Sequence, residues 1–194
     1  MGFLDSLLGR TKAVPPDLDA LFALPSAALT LQAATGLAPT GDGGVAVKRA
    51  EGGEFARTAD EVDELLQFTD DVVVEHETDT YGYLWTVCRS GDRLVQDLVT
   101  ALHAANSTWE ARGFGPGLLC SYVEFAGEVD GRSRLVVLVY LYKRGTFYPF
   151  APLRGQRRDQ ALELAVRARL DGELPVEPDL QRWFPIWDAP GVGL

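Results

Sequence analysis

The residues of this chain that could do acid–base or metal chemistry are few, and their spacing is unfavourable for it. The chain has two histidines. His76 lies between Glu75 and Glu77 in a segment typical of a strand, where neighbouring side chains point to opposite faces. This histidine and the two glutamates therefore do not share a metal ion. His103 stands alone in a helical pattern, and a lone histidine of this kind is more often structural than a base.

Nucleophile sites are also thinly supplied, and the sequence has no phosphate-binding loop motif. Cys88 and Cys120 lie in apolar strand patterns, which predicts buried free thiols. No G-x-S-x-G, P-loop, G-x-G-x-x-G or H-E-x-x-H motif is present. The glycine-rich stretch 113–117 follows a helix pattern and precedes a strand pattern, the reverse of a phosphate-binding loop, so we interpret it as a helix end and a turn. The sequence thus predicts no catalytic residue, no metal ligand and no cofactor, and a protein that is not an enzyme.

One alternative stays open, which is a small-ligand-binding protein or hydrolase whose site assembles from residues dispersed along the chain. The candidate residues are Asp70, Glu75, His76 and Arg144. A concave pocket in which these groups reach one another favours the enzyme, and a flat or grooved apolar surface favours a binding protein.

Charge is distributed unevenly along a chain whose formal net charge is −10. Acids concentrate between residues 51 and 79, and cations between residues 132 and 169. An acidic chain is a poor binder of nucleic acid, which requires clustered cations. We predict instead that part of the basic section docks on an acidic protein surface, with two solvated faces as the alternative. The residues predicted to bind this partner are Lys143, Arg144, Arg154, Arg157 and Arg158.

Residues 1–9 form a short apolar stripe, in which Phe3 and Leu7 lie one helical turn apart. A free helix of this length is marginal in water and needs a surface to lie on. That surface is the protein's own body, a partner or a membrane, and we include Phe3 and Leu7 among the predicted partner-binding residues. Self-association into a homodimer is also left open.

The core is predicted around Leu135–Tyr142, eight consecutive apolar or aromatic residues that indicate a strand covered on both faces. Leu119–Ala126 is its predicted hairpin partner, because Asp130-Gly131 between them is a strong turn signal. Gly145–Phe150 predicts an edge strand, since Pro149 has no N–H to donate.

A second hairpin is predicted from Asp71–Thr78 and Tyr81–Cys88, followed by a helix from Ser90 to Arg112. The last long helix is predicted at Gln156–Leu170, with Arg154, Arg157 and Arg158 at its start, where cations are unfavourable.

The first third of the chain is predicted to form another unit of two strands and a helix. A short helix over Asp17–Leu24 would end at Pro25, and strands at Ala28–Thr35 and Val45–Arg49 would flank a turn at Gly41–Gly44. A helix at Ala28–Ala34 is the alternative. Thr58–Glu61 has the pattern of a capping box that starts a helix. Three successive ββα units imply the α+β class, with helices packed on a largely antiparallel sheet.

The expected organisation is one folded domain with two extensions. Residues 1–16 form the amphipathic segment and a linker, residues 17–172 a single α+β domain, and residues 173–194 an aromatic tail that packs on it. We find no signal peptide pattern and no apolar segment of about 18 residues, so we expect a cytoplasmic protein. Contact of residues 1–9 with the inner face of the membrane is left open.

Three stretches together resemble one known family. They are Met1–Arg10 (MGFLDSLLGR), Leu18–Ala28 (LDALFALPSAA) and Tyr142–Pro152 (YKRGTFYPFAP), and they are similar to the PspA-associated protein PspAB of actinobacteria. The resemblance implies a cytoplasmic accessory of the phage-shock, envelope-stress response, associated with the coiled-coil protein PspA, and it brings no catalytic residues. The pattern is also similar to the YbjN and type III secretion chaperone-like group, which are binding folds.

Overall fold

A six-stranded antiparallel sheet organises the computed structural model of the chain, which describes residues 16–67 and 72–192. The strand order is β2-β3-β1-β4-β5-β6. The strands are β1 (Ala38–Lys48), β2 (Val72–Thr78), β3 (Tyr83–Ser90), β4 (Leu118–Val129), β5 (Arg132–Leu141) and β6 (Thr146–Phe150). A separate two-stranded ribbon is formed by β7 (Pro152–Leu153) and β8 (Arg157–Arg158). The four α-helices are α1 (Leu24–Thr35), α2 (Gly53–Leu66), α3 (Val95–Ala111) and α4 (Gln160–Leu170). The predicted α+β class is confirmed.

The central hairpin forms as predicted. Strands β4 and β5 pair from Cys120 with Leu141 to Val129 with Arg132. Asp130 and Gly131 both have positive φ, of 51° and 70°, as a two-residue turn with the twist of the strands requires. The β2–β3 hairpin and the edge strand β6 are confirmed as well.

The two faces of the sheet are covered by different kinds of structure. The helices pack on one face, where side chains of β5 such as Val136 and Leu138 join those of α1, α2, α3 and α4 in the larger core. On the other face, Val137 and Val139 lie in a smaller core. The residues that cover them come from the C-terminal segment, which we define as residues 174–192, and they are Trp183, Ile186, Ala189 and Val192. The central strand is thus buried on both sides.

The prediction that a helix ends at Pro25 is wrong. A 3-10 helix at Leu18–Ala23 continues into α1, and Pro25 lies in the first turn of α1, where a missing N–H leaves no hydrogen bond unmade. The predicted strand at Ala28–Thr35 is wrong too, and the helical alternative is confirmed.

The predicted turn at Gly41–Gly44 is also wrong, because β1 passes straight through these glycines. They are needed for close approach to a neighbouring strand. A Cβ on Gly43 would lie 2.6 Å from the carbonyl oxygen of Tyr122, and one on Gly44 would lie 2.8 Å from its ring. The pairing of β1 with β4 is irregular between Pro39 and Gly43. The first predicted ββα unit therefore has a single strand between two helices.

Three predicted helix starts are shifted. Helix α2 begins at Gly53, and Thr58 lies inside it, donating its hydroxyl to the carbonyl of Glu54 at 2.8 Å rather than capping a helix end. Helix α3 begins at Val95, since Ser90 still belongs to β3. Helix α4 begins at Gln160, where the carboxylate of Asp159 accepts a hydrogen bond from the backbone N–H of Leu162 at 3.1 Å.

One described helical stretch, Leu18–Thr35, is long and apolar enough by length and composition to cross a membrane, with a mean hydropathy of 1.2 over its 18 residues. The expectation that no segment reaches this length is therefore wrong. In the fold Leu21, Leu24 and Leu31 are buried in the larger core, and a core helix meets the same criterion.

Candidate functional site

The arrangement most like a catalytic group is a hydrogen-bonded chain of Asp63, His76 and Thr86. Nε2 of His76 lies 2.5 Å from a carboxylate oxygen of Asp63 on α2, and Nδ1 lies 3.3 Å from the hydroxyl of Thr86 on β3. A nucleophile oriented by a base and an acid has this connectivity. Thr86 is completely buried, however, so no substrate reaches its hydroxyl. These hydrogen bonds connect α2 to the strands β2 and β3.

The dispersed residues of the enzymatic alternative are not brought together. Glu75 binds Arg89 at 3.1 Å on the sheet face opposite His76. Arg144 follows β5, far from β2 in the strand order, and pairs with Glu177 at 3.3 Å. Asp70 lies outside the described residues. His103 lies 3.3 Å from a carboxylate oxygen of Asp19 at the surface.

Both cysteines are buried and free, as predicted. Burial raises the pKa of Cys88 and of Cys120 to about 12, with a smaller contribution from Asp63 and Asp79 respectively. Both side chains are therefore protonated thiols at neutral pH, which are poor nucleophiles. Within residues 16–67 and 72–192, no group of three or more His, Cys, Asp and Glu side chains could hold a metal ion.

The predicted basic docking residues differ in whether the fold itself uses their charges. Arg158 binds Glu163 at 2.9 Å and also donates to the carbonyl of Trp183, so it is used inside the fold, as Arg144 is. Arg154 and Arg157 are exposed at the β7–β8 turn, and Lys143 is exposed after β5. Phe3 and Leu7 lie outside the described residues.

An exposed aromatic groove lies instead between the β2–β3 turn and the C-terminal segment. We define it by Tyr81, Tyr83, Trp85, Leu119, Phe184 and Trp187, and it encloses about 230 Å³. Tyr81 and Phe184 are 69% and 60% exposed, although both are large aromatic residues. Large exposed aromatic side chains at a groove are typical of binding surfaces.

One side of the groove is built around the carboxylate of Asp79. It accepts hydrogen bonds from the backbone N–H groups of Tyr81 at 2.9 Å and Tyr83 at 2.8 Å. It also accepts one from Nε1 of Trp85 at 2.9 Å. These bonds fix the turn and hold the indole of Trp85.

The other side of the groove is held by the smaller core. The hydroxyl of Tyr148 donates to the carbonyl of Phe184 at 2.7 Å. The ring of Trp187 meets that of Phe150 edge to face, with centroids 4.8 Å apart. The groove is therefore formed before any partner arrives, which lowers the entropic cost of binding.

The groove has acidic residues in its lining and adjoins a basic cleft. Asp79 and Asp188 line the groove and also border a space beside Glu77. Tyr83 and Leu119 are shared with a cleft that contains Lys48, Arg49 and Lys143. None of the groove residues was predicted from the sequence. The available signals were the aromatic density around Trp183–Trp187 and the tyrosines after Asp79.

The fold and this site define a class of protein, an α+β domain with helices on one face of an antiparallel sheet and an aromatic groove at one end of it. A family model for PspA associated protein B (PspAB) matches residues 1–191, and the chain belongs to this family. The resemblance to it found in the sequence is confirmed. No curated protein and no solved structure matches the chain, so the similarity to the YbjN and type III secretion chaperone-like group stays a prediction.

Proposed function

We propose that this protein is a non-enzymatic, cytoplasmic accessory of the PspA-type envelope-stress response, and that it binds PspA in the aromatic groove. The family name supports the association with PspA. The observation that carries the proposal is the exposure of Tyr81 and Phe184 on a groove that is already formed.

The groove's chemistry indicates what it would hold. Its aromatic walls fit an apolar side chain, and the carboxylates of Asp79 and Asp188 in its lining fit a basic side chain beside it. A helix that presents an apolar and a basic residue one turn apart has both features, and the rows of a coiled coil repeat that pattern. We therefore expect the partner to contribute a helical surface.

The non-enzymatic part of the proposal is supported by the placement of the candidate catalytic residues. Thr86 is buried, Glu75 and His76 point to opposite faces, and Arg144 is paired with Glu177. A buried hydroxyl and a paired guanidinium fit structural roles better than a role in catalysis.

The test is a binding titration of purified PspA against the full-length chain and two double variants. Tyr81→Ser with Phe184→Ser removes the exposed aromatic walls and leaves the buried core untouched. Phe22→Ser with Leu29→Ser is the matched control, because these residues are 51% and 69% exposed and belong to the helix layer. Aromatic residues at the centre of an interface typically contribute 2 kcal/mol or more, so we expect the groove variant to weaken binding at least about ten-fold.

The control variant should bind as the parent protein does. Circular dichroism melts of both variants establish that they are folded. Equal affinity of the groove variant and the parent, with both folded, would show that PspA does not bind in the groove, and the absence of any PspA binding would remove the proposed function itself.

A further inference from the structure

A second concave site lies at the same end of the sheet, and its lining is basic. The cleft encloses about 460 Å³ between the end of β1, the loop that follows α3, and the turn that follows β5. Among the residues that the structure describes, the charged ones in its lining are Lys48, Arg49 and Lys143, and none is a carboxylate. In a chain with a formal net charge of −10, three cations around one cleft are a marked local departure.

The strand order explains why these cations meet. Strand β4 is antiparallel to both β1 and β5, so β1 and β5 run in the same direction. Their C-terminal ends therefore lie at one end of the sheet. Lys48 is the last residue of β1 and Lys143 follows β5, which places both at that end although they are far apart along the chain.

The ammonium group of Lys48 is held in place by two contacts. Its ammonium donates a hydrogen bond to the carbonyl of Tyr81 and lies 4.8 Å from the centroid of the Tyr83 ring. An ammonium group has three protons, so two remain to meet an anion. None of these three cations, Lys48, Arg49 and Lys143, forms an ion pair with another described residue.

Much of the remaining lining of the cleft is apolar. We call this part the apolar floor, and it consists of Tyr83, Phe114, Pro116, Leu118 and Leu119. The nearby loop is tightly packed, because a Cβ on Gly115 would lie 2.9 Å from the hydroxyl of Tyr142. The side chain of Glu110 lies against the same glycine but does not line the cleft.

We propose that this cleft binds a phosphate group carried on an apolar or aromatic body. Lysine ammonium groups bind phosphate as point charges, and an arginine adds a planar pair of donors. Three cations at the rim match an anion with several oxygens, and the floor matches the body attached to it. The phosphate belongs either to a soluble phosphoester or to the headgroup of an anionic lipid. The cleft shares Tyr83 and Leu119 with the aromatic groove, but its three cations lie outside the groove, so the proposal does not depend on PspA binding.

The test uses the purified full-length chain and three probes: inorganic phosphate, phenyl phosphate, and vesicles of phosphatidylcholine with or without phosphatidylglycerol. Calorimetric titration measures the soluble probes, and co-sedimentation measures the vesicles. Arg49→Gln with Lys143→Gln removes two cleft cations. Arg154→Gln with Arg157→Gln is the matched control, because it removes two exposed cations outside the cleft and changes the net charge by the same amount.

We expect phenyl phosphate to bind more tightly than inorganic phosphate, because only the former uses the apolar floor. The cleft variant should lose at least about ten-fold in affinity for the probe that binds, and the control variant should match the parent protein. Loss on phenyl phosphate alone identifies a soluble phosphoester, and loss on phosphatidylglycerol vesicles alone identifies a lipid headgroup. Failure of every probe to bind the parent, or equal weakening by the two variants, would overturn the proposal.

Discussion

The carboxylate of Glu177 is completely buried and lies 3.3 Å from the guanidinium of Arg144. Arg144 belongs to the turn between β5 and β6. The same carboxylate accepts hydrogen bonds from the hydroxyl of Thr146 at 2.8 Å and from the backbone N–H of Asp179 at 3.1 Å. The backbone N–H of Glu177 donates to the carbonyl of Phe147 at 2.7 Å. This residue therefore joins the C-terminal segment to the edge of the sheet.

We expect Glu177→Ala to lower the free energy of unfolding by about 2–4 kcal/mol, because it removes several hydrogen bonds to a buried charge. Arg144→Ala should have a smaller effect of about 1 kcal/mol, since that side chain is partly exposed and Thr146 and Asp179 still satisfy the carboxylate. Urea unfolding measures both. Equal losses in the two variants would show that the ion pair, and not the hydrogen-bond set, anchors the segment.

Because of Glu124, we expect the free energy of unfolding to fall as the pH rises. The pKa of this carboxyl is raised from 4.5 to about 7, chiefly by burial and also by the nearby Asp42, while Thr40 and Arg89 oppose the shift. The folded protein therefore holds a proton that the unfolded chain releases, and stability declines between about pH 5 and 7. A pKa difference of this size sets an upper limit of about 3.4 kcal/mol, which solvent screening of this incompletely buried group reduces.

The measurement for Glu124 is the free energy of unfolding of the parent and of Glu124→Gln across pH 5 to 8. The difference between the two cancels the contributions of ionisable groups that both proteins share. The variant should be the more stable protein at pH 8. A difference that does not change with pH would contradict the assigned protonation.

Arg157 and Arg158 are neighbours, but we expect their substitution to have very different effects on stability. Arg158→Glu would place a second carboxylate beside the buried Glu163, which now binds Arg158 at 2.9 Å and the backbone N–H of Ala151 at 2.9 Å. We expect a loss of about 3 kcal/mol or more. Arg157→Glu should change stability by less than about 0.5 kcal/mol, because that residue is exposed. Thermal melts of the two variants distinguish them, and equal melting temperatures would be inconsistent with the structural role of Arg158.

Val137→Asp should prevent folding. Val137 is fully buried in the smaller core and pairs with Glu124 on one side and Phe150 on the other. A charge at this position has no partner and no access to water. Val137→Ala is the control, with an expected loss of about 2 kcal/mol and a cooperative melt. A cooperative melt of the aspartate variant near that of the parent would show that β5 is not the core strand.

The parts of the fold that follow local signals could be predicted from the sequence. Asp130-Gly131 fixes its hairpin through backbone geometry alone, and the apolar run of β5 identifies the core strand. The glycines of β1 were misinterpreted because their role, close approach to Tyr122, exists only once β1 and β4 have paired.

The site could not be predicted for a related reason. Tyr81 and Phe184 are brought together only when the C-terminal segment crosses the sheet, and neither carries a motif. Docking by the basic section stays a prediction. Two of its cations, Arg144 and Arg158, have buried acidic partners, Glu177 and Glu163, that a count of charges along the chain does not reveal. Lys143 did prove to lie in a basic cleft, but with Lys48 and Arg49.

The C-terminal segment also has a consequence for biosynthesis. Proteins are made from the N-terminus, so the segment leaves the ribosome after every strand that it covers. Until then the helix layer can already pack on its own face, while Val139, Tyr148 and Phe150 on the other face remain open to solvent. A chain that lacks residues 174–192 would therefore display the kind of apolar surface that chaperones and proteases recognise, so that truncation before this segment would expose the whole domain to degradation.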